Sequence, residues 1–161
     1  MKTIIASTVA AFLLASQAQA LSCLRPDVAR TFNWVAAAEE SFVVLLGEFS
    51  FATGPLKRRA IQDPQSVEFQ ASFSGSYLGA EGFQPGPPLD LNVNFMCVGP
   101  WCGSLSEDEG PILAFVEQTP DGYELNVDPC FSTAFYPTAT DIARVEACIR
   151  GEGCAEIDPV R

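Results

Sequence analysis

Two long stretches of the chain alternate apolar and polar residues with period two, and two others space apolar residues as a helix does. The clearest alternation runs from Gln65 to Tyr77, where Val67, Phe69, Ala71 and Phe73 interleave with Glu68, Gln70, Ser72 and Ser74. Successive strand side chains point to opposite faces, so this pattern predicts a half-buried strand. Leu89 to Val98 repeats it, with Leu91, Val93 and Phe95 inward, Asp90, Asn92 and Asn94 outward, and an end at Cys97. Ser41 to Phe51 is rich in Phe and Val and reads as a third strand, with Gly47 suggesting a bulge or bend. Pro111 to Val116 is a continuous apolar run of the fully buried type. Thr119-Pro120-Asp121-Gly122 then turns the chain into Tyr123 to Val127, with proline preset for the first corner and glycine available for positive φ.

A short helix is expected from Asp27 to Ala38, capped at Asp27, with Val28, Thr31, Phe32 and Val35 at helical spacing. A second is expected after Thr138 and Asp141, with Ile142, Val145 and Ile149 on its apolar face and Gly151 as its stop. Between these elements lie a polar connection at Ala52 to Asp63, an acidic loop at Ser106 to Gly110, and Leu78 to Pro88. That last segment carries three glycines and three prolines and reads as a loop. Five strands with terminal helices are the parts of a small, mainly β, closed or nearly closed Greek-key barrel. The length suits one domain.

The first twenty residues stand apart. A cationic start at Met1-Lys2, an apolar run from Ile4 to Ala15 and the small residues Ala18-Gln19-Ala20 predict a signal peptide at 1–20, with a single disulfide-stabilised domain at 21–161. A lipid anchor on Cys23 is disfavoured, because Ala20-Leu21-Ser22 lacks the leucine expected three residues before such a cysteine. No apolar run is long enough to span a bilayer. The expected location is periplasmic or secreted. Cleavage would leave 8 basic against 20 acidic residues, a net charge of −12.

In an oxidising compartment the six cysteines read as three disulfides, and spacing narrows their many pairings. Cys97 and Cys102 bracket a Gly-Pro turn, and Cys148 and Cys154 bracket a glycine-containing segment, so each pair can close locally. Cys23 is then left for Cys130, a long loop whose closure is worth roughly 4 to 5 kcal/mol in the chain-entropy model. The competing arrangement is a four-cysteine zinc site. Its spacings are wider than a zinc knuckle, and export favours oxidation.

The charge and the absence of histidine exclude more than they identify. Without histidine there is no His-dependent triad and no His-ligated metal site. So acidic a chain lacks the basic footprint that nucleic acid requires. No Gly-x-Ser-x-Gly elbow or Ser-x-x-Lys motif is present, and Lys57 is the only lysine after residue 20. No motif calls for a cofactor or metal; Glu107, Asp108 and Glu109 lack the alternation and glycine of a calcium loop and read as a solvated acidic segment. Two features remain as candidate partner contacts. Lys57, Arg58 and Arg59 form the one basic run, either a docking spot for an acidic segment or a solvated tip. Trp101, between Cys97 and Cys102, is either an exposed recognition anchor or a cover for one barrel end.

One family resemblance joins these pieces. Cys-Leu-Arg-Pro at Cys23 to Pro26, the Val67-Glu68-Phe69 strand, Cys102-Gly103-Ser104-Leu105, Ile112-Leu113-Ala114-Phe115, Asp121-Gly122-Tyr123, Cys130-Phe131 and a last helix leading to Cys154 resemble, in that order, the netrin-like module shared with tissue inhibitors of metalloproteinases. The resemblance implies an OB-type barrel with the N-terminal segment pinned across it by a bridge. It departs from the inhibitory pattern at the start, where Leu21 and Ser22 precede Cys23 and remove the zinc-chelating first cysteine. The expectation is an exported, non-catalytic binding module whose partner is an exported protein; inhibition of an exported metalloprotease is the alternative.

Overall fold

The computed structural model describes residues 23–51, 66–106, 109–130 and 133–157. Its centre is a barrel of five strands. Strand β1 (Ser41–Phe51) pairs antiparallel with β2 (Val67–Gly79), which pairs antiparallel with β4 (Leu89–Phe95). Strand β4 runs parallel to β8 (Gly122–Val127), β8 pairs with β7 (Ile112–Thr119), and β7 closes the ring on β1. Antiparallel neighbours throughout, with one parallel pair where the Greek key crosses, give the OB-type order expected from the sequence.

The hydrophobic pattern explains which strands face what. Leu45, Phe49, Ala71, Phe73, Leu91, Val93, Ile112, Ala114, Val116 and Leu125 point inward and fill the barrel. β2 and β4 are solvated outside, so their sequences alternate. β1 and β7 are covered on both sides: Val44, Leu113 and Phe115 point outward into a second cluster with Val28 and Val35 of helix α1 (Val28–Ala37) and Val145 of helix α2 (Ala139–Ile149). That double burial is why the β7 sequence reads as an unbroken apolar run.

Three local expectations change. Leu78 to Pro88 is not simply a loop: β2 continues to Gly79, and after a turn β3 (Gly82–Pro85) pairs back on it. Leu78 and Phe83 lie opposite each other and pack beneath the helices, so two apolar residues outweigh the surrounding glycines and prolines. Gly47 marks no bulge, because the β1–β2 register runs through it unbroken. It faces Gly75, where a Cβ at Gly47 would come within 2.8 Å of the Gly75 Cα and 2.9 Å of the Phe73 ring. Finally, Ile149 is exposed; Cys148, bridged to Cys154, takes the inward position beside Val145.

Both helices begin where side chains cap them. Asp27 accepts from the Ala29 N–H at 3.0 Å, and Thr138 and Asp141 form a reciprocal capping box. Asp27 does more. Buried at 5% exposure, it also receives the Ile157 N–H and pairs with Arg144 of α2 at 2.7 Å. The tail after Cys154 is thereby strapped over both helices, with Arg30 held to Glu156 at 3.1 Å and Arg144 donating to the Ala155 carbonyl at 2.8 Å. Burial pushes the Asp27 carboxyl up, but the N–H groups of Ile157 and Ala29 and the Arg144 guanidinium outweigh it, and its pKa lies below the ordinary carboxylate value.

The three disulfides are Cys23–Cys130, Cys97–Cys102 and Cys148–Cys154, as the spacing predicted. Three such bonds belong to an oxidising compartment. Among the described residues no helix is long and apolar enough to cross a membrane. The predicted signal peptide lies outside the described residues.

Candidate functional site

The end of the barrel below β4 is where exposed apolar side chains and a concavity meet. The β4 alternation stops at Phe95. Met96 then donates its N–H to the Val127 carbonyl at 3.0 Å and accepts from the Gly103 N–H at 2.9 Å, which closes the base of a small protruding hairpin. Its two arms, β5 (Cys97–Val98) and β6 (Trp101–Cys102), place Cys97 opposite Cys102 and Val98 opposite Trp101. Gly99 supplies the positive φ of the turn, at 59°. The disulfide clamps one side-chain pair, and the next pair along is left in solvent.

Trp101 is 50% exposed, Val98 53% and Met96 40%. The Trp101 side chain is thus half in solvent and half covered. The exposure of Val98 and Met96 beside it is not among the features expected from the sequence. The Cys97–Cys102 spacing held the signal, because pairing those two residues puts Val98 across from Trp101.

Beside the hairpin lies a groove of about 450 Å³ lined in part by Cys102, Gly103, Ser104, Leu105, Asp128 and Tyr136. Gly103 is buried against β8, where a Cβ would run into the Val127 carbonyl, so only glycine lets the hairpin base lie this close. The Tyr136 hydroxyl accepts the Ser106 N–H and donates to the Ser106 carbonyl at 3.2 Å, fastening the loop to the segment that leads into α2. Burial pushes the Tyr136 phenol up, the Ser106 contact lowers it by less, and the carboxylate of Glu109 pushes it up further. Asp128 accepts the Cys130 N–H at 2.7 Å, which fixes the turn into the long disulfide.

The electrostatics of this end are one-sided. Asp128 and Asp141 line the groove, Glu109 lies near Tyr136, and among the described residues no Lys or Arg lines it. Three of the four arginines among the described residues are held in ion pairs: Arg30 with Glu156, Arg144 with Asp27 and Arg150 with Glu152. Arg144 also reaches Asp141, at 3.9 Å. Lys57, Arg58 and Arg59 lie outside the described residues, as do Glu107 and Asp108; Glu109 is exposed. Among the described residues no group of three or more His, Cys, Asp or Glu side chains is placed to hold a metal ion.

Phe69, Phe73 and Phe95 face the barrel interior, with Phe69 and Phe95 in edge contact at 4.9 Å between ring centres, and Phe115 packs beneath the helices. They are packing residues. No protein-family model matches the chain, and neither a curated protein nor a solved structure matches it.

Proposed function

We propose that this protein is a non-catalytic binding module, exported to the periplasm or the medium, which engages another exported protein through the barrel end built around Trp101. The observation that carries this reading is the Val98–Trp101 pair, two large apolar side chains about half exposed on a hairpin whose base is closed by Cys97–Cys102. Tryptophan dominates binding hot spots because it buries much area with few rotamers. A clamped hairpin loses little conformational entropy on docking, so more of that burial appears as affinity. Export is supported by the N-terminal signal pattern and the three disulfides.

The test is affinity capture from the native exported fraction with the mature protein and with Trp101→Ala in parallel. A partner retained by the first and lost by the second is expected. Equal capture by both would remove Trp101 from the account.

A second reading, inhibition of an exported metalloprotease, draws on the netrin-like resemblance. An OB barrel with its N-terminal segment bridged to the far end by Cys23–Cys130 supports it; the residues before Cys23 weigh against a chelating mechanism. Absence of inhibition across a metalloprotease panel at micromolar protein would discard it.

A further inference from the structure

Resting on the docking reading above, we infer that Met96 is an oxidation site, at which a hydroperoxide converts the thioether to the sulfoxide and switches the hairpin's docking face from apolar to polar. Strand register places Met96 on that face. Its N–H goes to Val127 and its carbonyl accepts from Gly103, so the β4 alternation runs on through Met96 into β5. Met96 therefore shares a side with Val98, two residues on. Trp101 lies opposite Val98, while Cys97 and Cys102 form the bridge on the other side. Gly103, across from Met96, has no side chain to cover the thioether, and Met96 keeps 40% of its exposure.

The chain leaves an oxidant no competing sulfur. All six cysteines are in disulfides, so the thiolate that ordinarily takes a hydroperoxide first is absent. Met1 is the only other methionine, and it belongs to the predicted signal peptide. Charge selects the class of oxidant: with 8 basic against 20 acidic residues after residue 20, the chain repels anionic oxidants and not a neutral hydroperoxide. In the step itself the sulfur lone pair takes the distal peroxide oxygen. The S–O bond forms as the O–O bond breaks, the proton of the distal oxygen passes to the other, and the peroxide leaves as an alcohol or water. Sulfur is oxidised by two electrons and the peroxide is reduced by two. The new oxygen is a strong acceptor that an apolar interface leaves unpaired, so docking weakens until the sulfoxide is reduced.

Hydrogen peroxide at neutral pH is the probe, with peptide mapping by mass spectrometry to separate Met96 from Met1. The Met96 peptide of the folded protein should gain one oxygen at a rate within about threefold of that in the urea-unfolded chain. Retention on phenyl-agarose, a neutral apolar surface, then reads the face without any partner. Oxidation and Met96→Gln should each shorten retention, methionine sulfoxide reductase with a dithiol should restore the oxidised protein, and Met96→Leu should be indifferent to peroxide. Capture of the Trp101-dependent partner should fall about tenfold on oxidation and return on reduction. Oxidation of Met96 more than about tenfold slower than in the unfolded chain, a sulfoxide that leaves retention unchanged, or equal loss of retention by peroxide-treated Met96→Leu would overturn the inference. Capture that depends on Trp101 but ignores the sulfoxide overturns the switch and leaves the docking reading standing. Capture indifferent to Trp101, with retention still governed by Met96 oxidation, overturns the docking reading and leaves the oxidation site.

Discussion

Replacing Asp27 should be strongly destabilising, because one buried carboxylate caps α1, holds α2 through Arg144 and fastens the tail through the Ile157 N–H. Loss of an N-cap acceptor costs about 1 kcal/mol. Breaking a buried ion pair costs about 3 to 5 kcal/mol, and the low end applies here because the Arg144 side chain keeps 21% of its exposure and water can reach it. Asp27→Ala should therefore lose about 4 kcal/mol, and Asp27→Asn, which keeps a capping oxygen, about 2 to 3 kcal/mol. Urea unfolding measured from neutral pH into the acid range checks this.

The pH dependence has a definite sign. The folded-state pKa of Asp27 lies below the ordinary value, so its stabilisation is fully present above the unfolded carboxylate pKa and is lost as pH falls through the folded one. The gap between wild type and Asp27→Asn should therefore be widest at neutral pH and narrow on acidification. A gap under about 0.5 kcal/mol at neutral pH, or one that does not change with acid, would refute the reasoning.

Three further outcomes follow from the fold. Replacing Cys23 and Cys130 by serine should cost about 5 kcal/mol, since their bond closes a separation of 107 residues, while removing Cys97–Cys102 or Cys148–Cys154, with separations of 5 and 6, should cost about 2 kcal/mol; guanidinium unfolding of the three pair variants gives the order. Gly47→Val should destabilise by about 2 kcal/mol or more, because its side chain meets the Gly75 backbone and the Phe73 ring, and an unchanged melting temperature would contradict the β1–β2 register. Trp101→Ala should leave stability within about 0.5 kcal/mol whereas Phe73→Ala loses about 3 to 5 kcal/mol, a contrast calorimetry can read directly.

Much of the barrel is legible in the sequence because its most exposed strands advertise their faces. β2 and β4 have one wet side, so Val67 to Phe73 and Leu91 to Phe95 alternate and the inward set can be picked out residue by residue. β1 and β7 are buried on both sides, and alternation disappears there; the sequence identifies them as strands but not as the wall beneath two helices. The hairpin at Leu78 and Phe83 is hidden for a different reason. Its stabilising burial comes from α2, a long way along the chain, while its local composition argues for a loop.

At the candidate site the cysteine spacing carried the geometry. Once Cys97 faces Cys102, the pairing of Val98 with Trp101 follows from strand register alone. The exposure of that pair does not follow, since it depends on what the rest of the barrel end leaves uncovered. Tyr136 and Asp128 are invisible to local reading because they come to the groove from other parts of the chain, Asp128 from the end of β8 and Tyr136 from the segment before α2. The Asp27–Arg144 pair has only half a signal in the sequence: the cap position of Asp27 can be read, and its long-range partner cannot.

The claim that matters most is that the hairpin end is a protein-docking surface. Placing a photoreactive amino acid at Trp101 in the full-length protein, with the same residue at Gln70 on the outer face of β2 as control, tests it directly. The account predicts a discrete cross-linked partner from position 101 and none from position 70 on irradiation in the native compartment. No adduct at 101, or the same adducts from both positions, would contradict it.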